Sequence, residues 1–319
     1  MESFGKKLIR FIGSSCVLGL RQGPSAVLED IFATLRFRLG IDALAPRTQA
    51  MEQRISGMEQ RIDAMQQRID GMVSTWTATS WIEQAKLKET PLVSIVLPTH
   101  DRSAWLRRAV DSVTAQTYPH WEIVIVDDGS TDDTPAVAQE LRDRLGEERV
   151  RIVRIANSGV CAARNHGLAA ARGELIAYLD DDNIMHPLWL KAAVWGFSQR
   201  PDVDVVYGGI IIDDTLRVNR EGAGDLPSYH LHPYDRRRLA EFNLADIGAV
   251  AHRRDLPEAR FDEGLREMGD WDLLARLTRH KSPLMIPAVA CFYYTTAPNR
   301  LSGGPTYHAD AARVREKAR

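Results

Sequence analysis

The densest chemistry in this sequence is a run of three carboxylates, Asp180, Asp181 and Asp182, closed by Asn183 and preceded by the apolar stretch 175–179. Adjacent like charges repel, so three acids at the end of a strand-like segment call for an opposite charge. The glycine loops that cradle phosphate directly, G-x-G-x-x-G after a first strand or G-x-x-x-x-G-K-[ST], do not occur here. A diphosphate can still approach carboxylates if a divalent cation lies between them, and hard oxygen ligands suit Mg2+ or Mn2+. Alone the triplet is a weak signal, because Asp at a strand end also serves as a helix cap.

The triplet does not stand alone. From residue 91 the texture alternates. Strand-like runs at 92–97, 122–126, 150–155 and 175–179 are separated by amphipathic stretches at 104–116, 134–145 and 160–171. Strands spaced by helical patterns imply βαβ units and a largely parallel sheet, which binds ligands at the carboxyl ends of its strands. Polar clusters fall at those ends: PTHDR after the first, DDGSTDD after the second, ANSG after the third, DDDN after the fourth.

Five segments in order, VSIVLPTHDR, EIVIVDDGSTDDT, NSGVCAARNHG, AYLDDDN and RFDEGLREMGDWDLLARL, resemble the family 2 glycosyltransferases of GT-A fold over about residues 92–300. The resemblance implies a Rossmann-like, mostly parallel α/β sheet flanked by helices, preceded here by an N-terminal helical and coiled-coil segment. It implies a metal-dependent, inverting transfer from a nucleotide-sugar donor to a saccharide or lipid-linked acceptor, in surface polysaccharide or glycoconjugate synthesis. Thr99, Asp101 and Asp128 would hold base and ribose, with Asp127 the next candidate. Arg164 would sit near the donor's phosphates or base. Asp180 would touch ribose or metal, and Asp182 would ligate Mn2+ or Mg2+.

The late motif MGDWDLLAR matches the family's E-D-x-x-L segment, with Gly269 where the Glu usually stands, and makes Asp270 the catalytic base. Helical spacing supports that choice. Asp270 shares a face with Leu273, Leu274 and Leu277, whereas Asp272 points elsewhere and can pair with Arg276 at i, i+4. Trp271 beside the base is a candidate to stack on the acceptor or to pack in the core. His252, in the segment 247–254, is a candidate on the acceptor side. Arg300 comes late for the family's donor-closing Tyr-Arg-x-His segment, and His308 is the substitute at hand.

The remainder bounds the protein. It has 319 residues, and a formal charge of −2 gives no global field toward nucleic acid. Three scattered cysteines fit a reducing compartment, hence the cytoplasm. Residues 1–50 read as short helices broken at Gly23-Pro24 and Pro46. Their seven basic residues against four acids suit peripheral contact with the inner face of a membrane. Within 51–75 a literal seven-residue repeat puts Ile55, Ile62 and Ile69 at a and Met58, Met65 and Met72 at d. Arg54, Arg61 and Arg68 flank as g, and Glu52, Glu59 and Gln66 as e. That is the pattern of a parallel coiled coil and a homo-oligomer. Residues 76–90 read as linker and 91–319 as the catalytic domain. Two other classes stay open: a nucleotidyltransferase, and a non-catalytic assembly protein built on the coiled coil.

Overall fold

In the computed structural model the described residues are 41–213, 228–294 and 304–318, with positions 29, 33, 34 and 37 before them. The chain divides into two compact units, 1–68 and 69–319.

Helix α1 runs from Ile41 to Gln84. The break expected at Pro46 does not occur. Pro46 lies five residues into the helix, where it forfeits one intrahelical hydrogen bond. The linker expected over 76–90 is helical as far as Gln84, because this end of α1 packs. Ile82 is 1% exposed, Trp81 meets Trp195 edge-on at 5.3 Å, and Thr75 Oγ1 donates to Tyr229 Oη at 2.9 Å. The described side chains of the repeat are solvent-facing: Met51, Ile55, Met58 and Ile62 are each about half exposed or more. The side chains of Met65, Ile69 and Met72 lie outside the described residues.

From Val93 the second unit follows the sequence prediction. Strand β1 (Val93–Thr99), helix α2 (Ser103–Thr114), β2 (Trp121–Asp128), α3 (Thr134–Leu145), β3 (Val150–Ile155), α4 (Val160–Ala170) and β4 (Leu175–Tyr178) follow in alternation. Their strands pair in parallel in the order β3-β2-β1-β4. β1 and β2 are buried along their whole length, which is why they read as continuous apolar runs. α2 lays Leu106, Ala109, Val110 and Val113 on the sheet. α4 packs closer still: a Cβ at Gly167 would stand 2.4 Å from Val96 Cγ1, so only glycine fits.

Beyond β4 the sheet is mixed, which corrects the mostly parallel expectation. The later elements are β5 (Ile184–Met185), α5 (Trp189–Gln199), β6 (Val205–Asp213), β7 (Ser228–His230), α6 (Arg236–Leu239), a 3-10 turn (Ile247–Ala249), β8 (Val250–Arg253), α7 (Gly269–Leu277), β9 (Leu284–Tyr294) and α8 (Tyr307–Ala318). β8 joins β4 and β6 antiparallel, β9 runs parallel to β6, and β5 and β7 pair antiparallel at the margins. Between β7 and β8 the described connection holds only the four-residue α6 and the 3-10 turn, in contrast to the full-length helices that link each pair from β1 to β4. Successive strands leave β1 first toward β2 and β3, then return on its other side as β4. The crevice at the carboxyl ends of β1 and β4 is therefore a topological switch point.

Candidate active site

That crevice is a cleft of about 480 Å³, walled by the ends of β1, β2 and β4 and closed by the first turn of α7. Thr99, Asp101, Asp128, Arg164, Asp180, Asp182 and Asp270 all line it, although they span 172 positions of sequence.

The strand-end acids divide between loop anchoring and exposure to the cleft. Asp128, 6% exposed, accepts from the N–H groups of Ser158 at 2.7 Å and Gly159 at 2.8 Å. It thereby fixes the loop entering α4, where Gly159 takes φ +91°. Asp101, itself at φ 51°, accepts at Oδ1 from Thr131 N at 2.6 Å and Asp132 N at 3.2 Å. Those backbone bonds, Thr131 first, hold its carboxyl below the usual range. The β1–α2 and β2–α3 loops are thus locked together. Asp127 stands behind the cleft rather than in its lining. It is 1% exposed and accepts from Ser130 N at 2.9 Å. Arg154 Nε lies 3.3 Å from its other oxygen, close enough for an ion pair but misaligned for a hydrogen bond.

Within the triplet, which lies in the turn after β4, the side chains differ in burial. Asp181 turns inward at 5% exposure, where it accepts from Thr99 Oγ1 and from Arg102 Nη1, both at 2.8 Å. Burial pushes its carboxyl up to about 6. Asp180 and Asp182 keep one edge on the cleft, with side chains 26% and 13% exposed. Arg102 answers Asp182 at 2.9 Å and Arg164 answers Asp180 at 2.6 Å. Arg164 is 7% exposed and lies 5.3 Å from the centre of the Phe261 ring. These two arginines supply counter-charge from the protein itself, whereas the sequence pointed to a divalent cation. Among the described residues no group of three ligating side chains surrounds a cation position. Two carboxylates at one cleft edge still fit Mg2+ or Mn2+, since such ions are commonly held by one or two carboxylates together with substrate phosphates.

Across the cleft, Asp270 sits in the first turn of α7 and is partly buried. Its Oδ2 accepts from Asn243 Nδ2 and its Oδ1 from Trp271 N, both at 2.8 Å. Burial raises its pKa, and Arg164 opposes the rise. Asp246 completes this wall. It caps the 3-10 turn through Gly248 N at 2.9 Å, and burial first, then Asp180 and Asp270, push it up to about 7. Asp272 is engaged elsewhere, as its spacing predicts. It is 1% exposed and bound by Arg276 Nε at 2.9 Å and Lys317 Nζ at 3.0 Å.

Gly269, where the family pattern has Glu, is explained by packing. A Cβ there would stand 2.5 Å from Cys161 Sγ on α4. The acid that does line the cleft nearby is Glu267. It accepts from Gly304 N at 2.8 Å and from Thr306 Oγ1 at 2.6 Å, tying the approach to α8 down beside Asp270.

Two candidates are placed elsewhere. Trp271 is 2% exposed and donates Nε1–H to the Leu239 carbonyl at 2.6 Å, so its ring belongs to the core. His252 is fully buried on β8. Its Nδ1 donates to the Arg253 carbonyl and Nε2 accepts from Tyr178 Oη, both at 2.7 Å. Burial lowers it to about 4, a structural histidine away from the cleft. Arg300 lies outside the described residues, and His308 is exposed on α8. Arg102, Asn243, Asp246 and Glu267 were not singled out by sequence. Arg102 and Glu267 carried a signal, their places within PTHDR and RFDEGLREMGDWDLLARL.

Residues 94–255, about half the chain, match the family model described as Glycosyl transferase family 2. WcaA of Escherichia coli K12, a glycosyl transferase named for colanic acid biosynthesis, is 31% identical over 195 residues, 60% of this chain and 67% of that protein. The chondroitin synthase of Escherichia coli is 31% identical over 199 residues, 62% of this chain but only 28% of its own length. The fold is shared with S. aureus TarS 1–349 in complex with UDP-GlcNAc, at TM-score 0.58 and 18% identity over 71% of this chain and 66% of that one. It is shared also with the mannosyltransferase PcManGT of Pyrobaculum calidifontis in complex with GDP-Man and Mn2+, at TM-score 0.50 and 19% identity over 80% and 71% of the two chains. On the family model and the span of WcaA together, the chain belongs to glycosyl transferase family 2.

Proposed function

We propose that this chain moves a sugar from a nucleotide-diphosphate sugar to an acceptor hydroxyl with inversion, in the building of a surface polysaccharide or glycoconjugate. One observation carries the reading. Asp270 faces the same cleft as Asp180 and Asp182, held by Asn243 and its own helix, while Asp272 is consumed by Arg276 and Lys317.

The donor lies across the β1 and β2 ends, where Asp101 and Asp128 rigidify the loops that present backbone groups to base and ribose. Asp182 and Asp180 would hold the divalent cation, which when bound supplies Lewis-acid counter-charge to the leaving diphosphate. Arg164 restrains the negative charge of Asp180 before the donor arrives. Asp270 takes the proton from the acceptor hydroxyl as it attacks the anomeric carbon from the face opposite the leaving group. Its raised pKa makes it a stronger base than an ordinary carboxylate, and the N-terminal turn of α7 favours its ionised form. Asn243 orients the carboxylate by donating to Oδ2.

The reading extends to α1. Solvent-facing Met51, Ile55, Met58 and Ile62, with Arg and Glu on either side, support a parallel coiled coil between copies of this chain. Several active sites would then stand side by side on one acceptor.

Asp270→Asn is expected to keep donor binding and to lower turnover by about 10² or more. Asp272→Asn is expected to lose stability, because it removes a buried charge from two cations. A folded Asp272→Asn protein without turnover, beside an active Asp270→Asn, would mean that the wrong acid has been chosen.

A further inference from the structure

The wall that carries Asp270 ends in an unusual surface. Arg236, Arg237 and Arg238 of α6 are all exposed, and four residues on Phe242 is 64% exposed. Between Trp81 and Tyr307, Phe242 is the one large hydrophobic so exposed among the described residues. Asp235 spends its carboxylate on capping α6, accepting from Arg237 N at 2.7 Å and Arg238 N at 3.2 Å. The guanidinium groups of Arg237 and Arg238 make no ion pair among the described residues. Arg236 donates to the Arg279 backbone carbonyl. The nearby acid Glu241 is already matched by Arg315 at 3.7 Å.

Three successive helical residues point about 100° apart, so these arginines fan outward instead of converging on one small anion. Exposed guanidinium groups beside one protruding ring, two of them without an ion pair among the described residues, match a flat anionic bilayer surface. Phosphates there take the arginines, and the interfacial layer takes the aromatic side chain. A long acidic glycan fits less well, because the patch presents a single ring and not a row of ring faces. The patch is also fastened to the base. The Leu239 carbonyl of α6 accepts from Trp271 Nε1 at 2.6 Å, and Asn243, next to Phe242, donates to Asp270 at 2.8 Å.

We propose that α6 and Phe242 form a membrane-docking rim, which seats the Asp270 side of the cleft on an anionic lipid surface. That this side is the acceptor side rests on the functional reading above; the docking itself does not. The rim is distinct from the basic stretch at residues 1–50.

The test is partition of the full chain onto phosphatidylcholine vesicles with and without phosphatidylglycerol. Binding should require the anionic lipid. Each arginine near such a surface contributes about fivefold, so Arg237→Gln with Arg238→Gln should weaken partition roughly 25-fold. Phe242→Ala should weaken it further, and Phe242→Trp should restore it. Exchanging Arg200 and Arg260 for Gln removes the same formal charge elsewhere and should leave partition near wild type. Equal partition of wild type and the Arg237/Arg238 variant overturns the proposal, since the binding then belongs to another part of the chain. So does absence of wild-type binding, or protection of this face by a soluble acidic glycan but not by vesicles. Titration of UDP and GDP into the same preparations reports separately on the cleft. Failure of nucleotide binding with the vesicle result intact would sink the sugar-transfer reading and leave the rim standing.

Discussion

Replacing Arg164 by Met tests the electrostatic logic of the cleft. Met keeps much of the apolar stem against Phe261 but removes the guanidinium that donates to Asp180 at 2.6 Å. Breaking one partner of a fully buried pair costs about 3–5 kcal/mol, mostly the stranded charge. Arg164 is 7% exposed, but the Asp180 side chain is 26% exposed, so water partly solvates the carboxylate left behind. The lower end, about 3 kcal/mol, is therefore expected. For a unit of this size that is a fall in Tm of roughly 6–12 °C. Adding Asp180→Asn should recover about 2 kcal/mol, because no charge is then stranded. A second consequence follows in catalysis. Arg164 is the charge that opposes the rise of the Asp270 pKa, so its loss raises that pKa further. The acid limb of kcat/KM should then move to higher pH. Urea denaturation of both variants and a pH–rate profile are the assays. A cost below 1 kcal/mol, or a double variant as unstable as the sum of the singles, would refute the reasoning.

Other outcomes follow from neighbouring features. His252 is buried with its pKa lowered to about 4, so the unfolded chain binds more protons between that value and the ordinary histidine range. Its contribution is present near pH 7 and lost as pH falls through that window, about 3 kcal/mol in all, and His252→Gln should flatten this part of the pH–stability curve. Gly269→Ala should cost about 1–3 kcal/mol by overpacking against Cys161, and Cys161→Ala in the same chain should relieve most of it, as thermal melts will reveal. Ile55→Asp with Ile62→Asp in the full chain should halve or further reduce the mass seen by light scattering, and unchanged mass would remove the coiled-coil proposal.

The half of the fold from β1 to β4 was legible because β1, β2 and β4 are short buried runs, β3 is rich in β-branched residues, and α2 between them carries a clear amphipathic period. The acids fell at strand ends, and a parallel sheet brings such ends together whatever their separation in sequence. The region after β4 was not legible in the same way. β8 is four residues long, α6 is four, and the turn holding Asp246 is three, too short for any period to register. Asn243 and Asp246 act through that irregular stretch, so nothing in their spacing marked them. Trp271 and His252 are amphipathic types whose side chains serve cores and sites alike, and only packing decided for the core. The end of α1 looked like linker by composition, yet Ile82 is buried and Trp81 meets Trp195 of the same unit, contacts that no local pattern encodes.

The central claim is that the β-strand ends and α7 form one site for a nucleotide-sugar donor and its transfer chemistry. Calorimetric titration of UDP-sugars and GDP-sugars into wild type, Asp182→Ala and Asp270→Asn, each with and without Mn2+, tests it most directly. The account predicts Mn2+-dependent binding of one donor class to wild type and to Asp270→Asn, and its loss in a folded Asp182→Ala. Equal binding by wild type and Asp182→Ala, or no binding of either donor class to wild type, would contradict it.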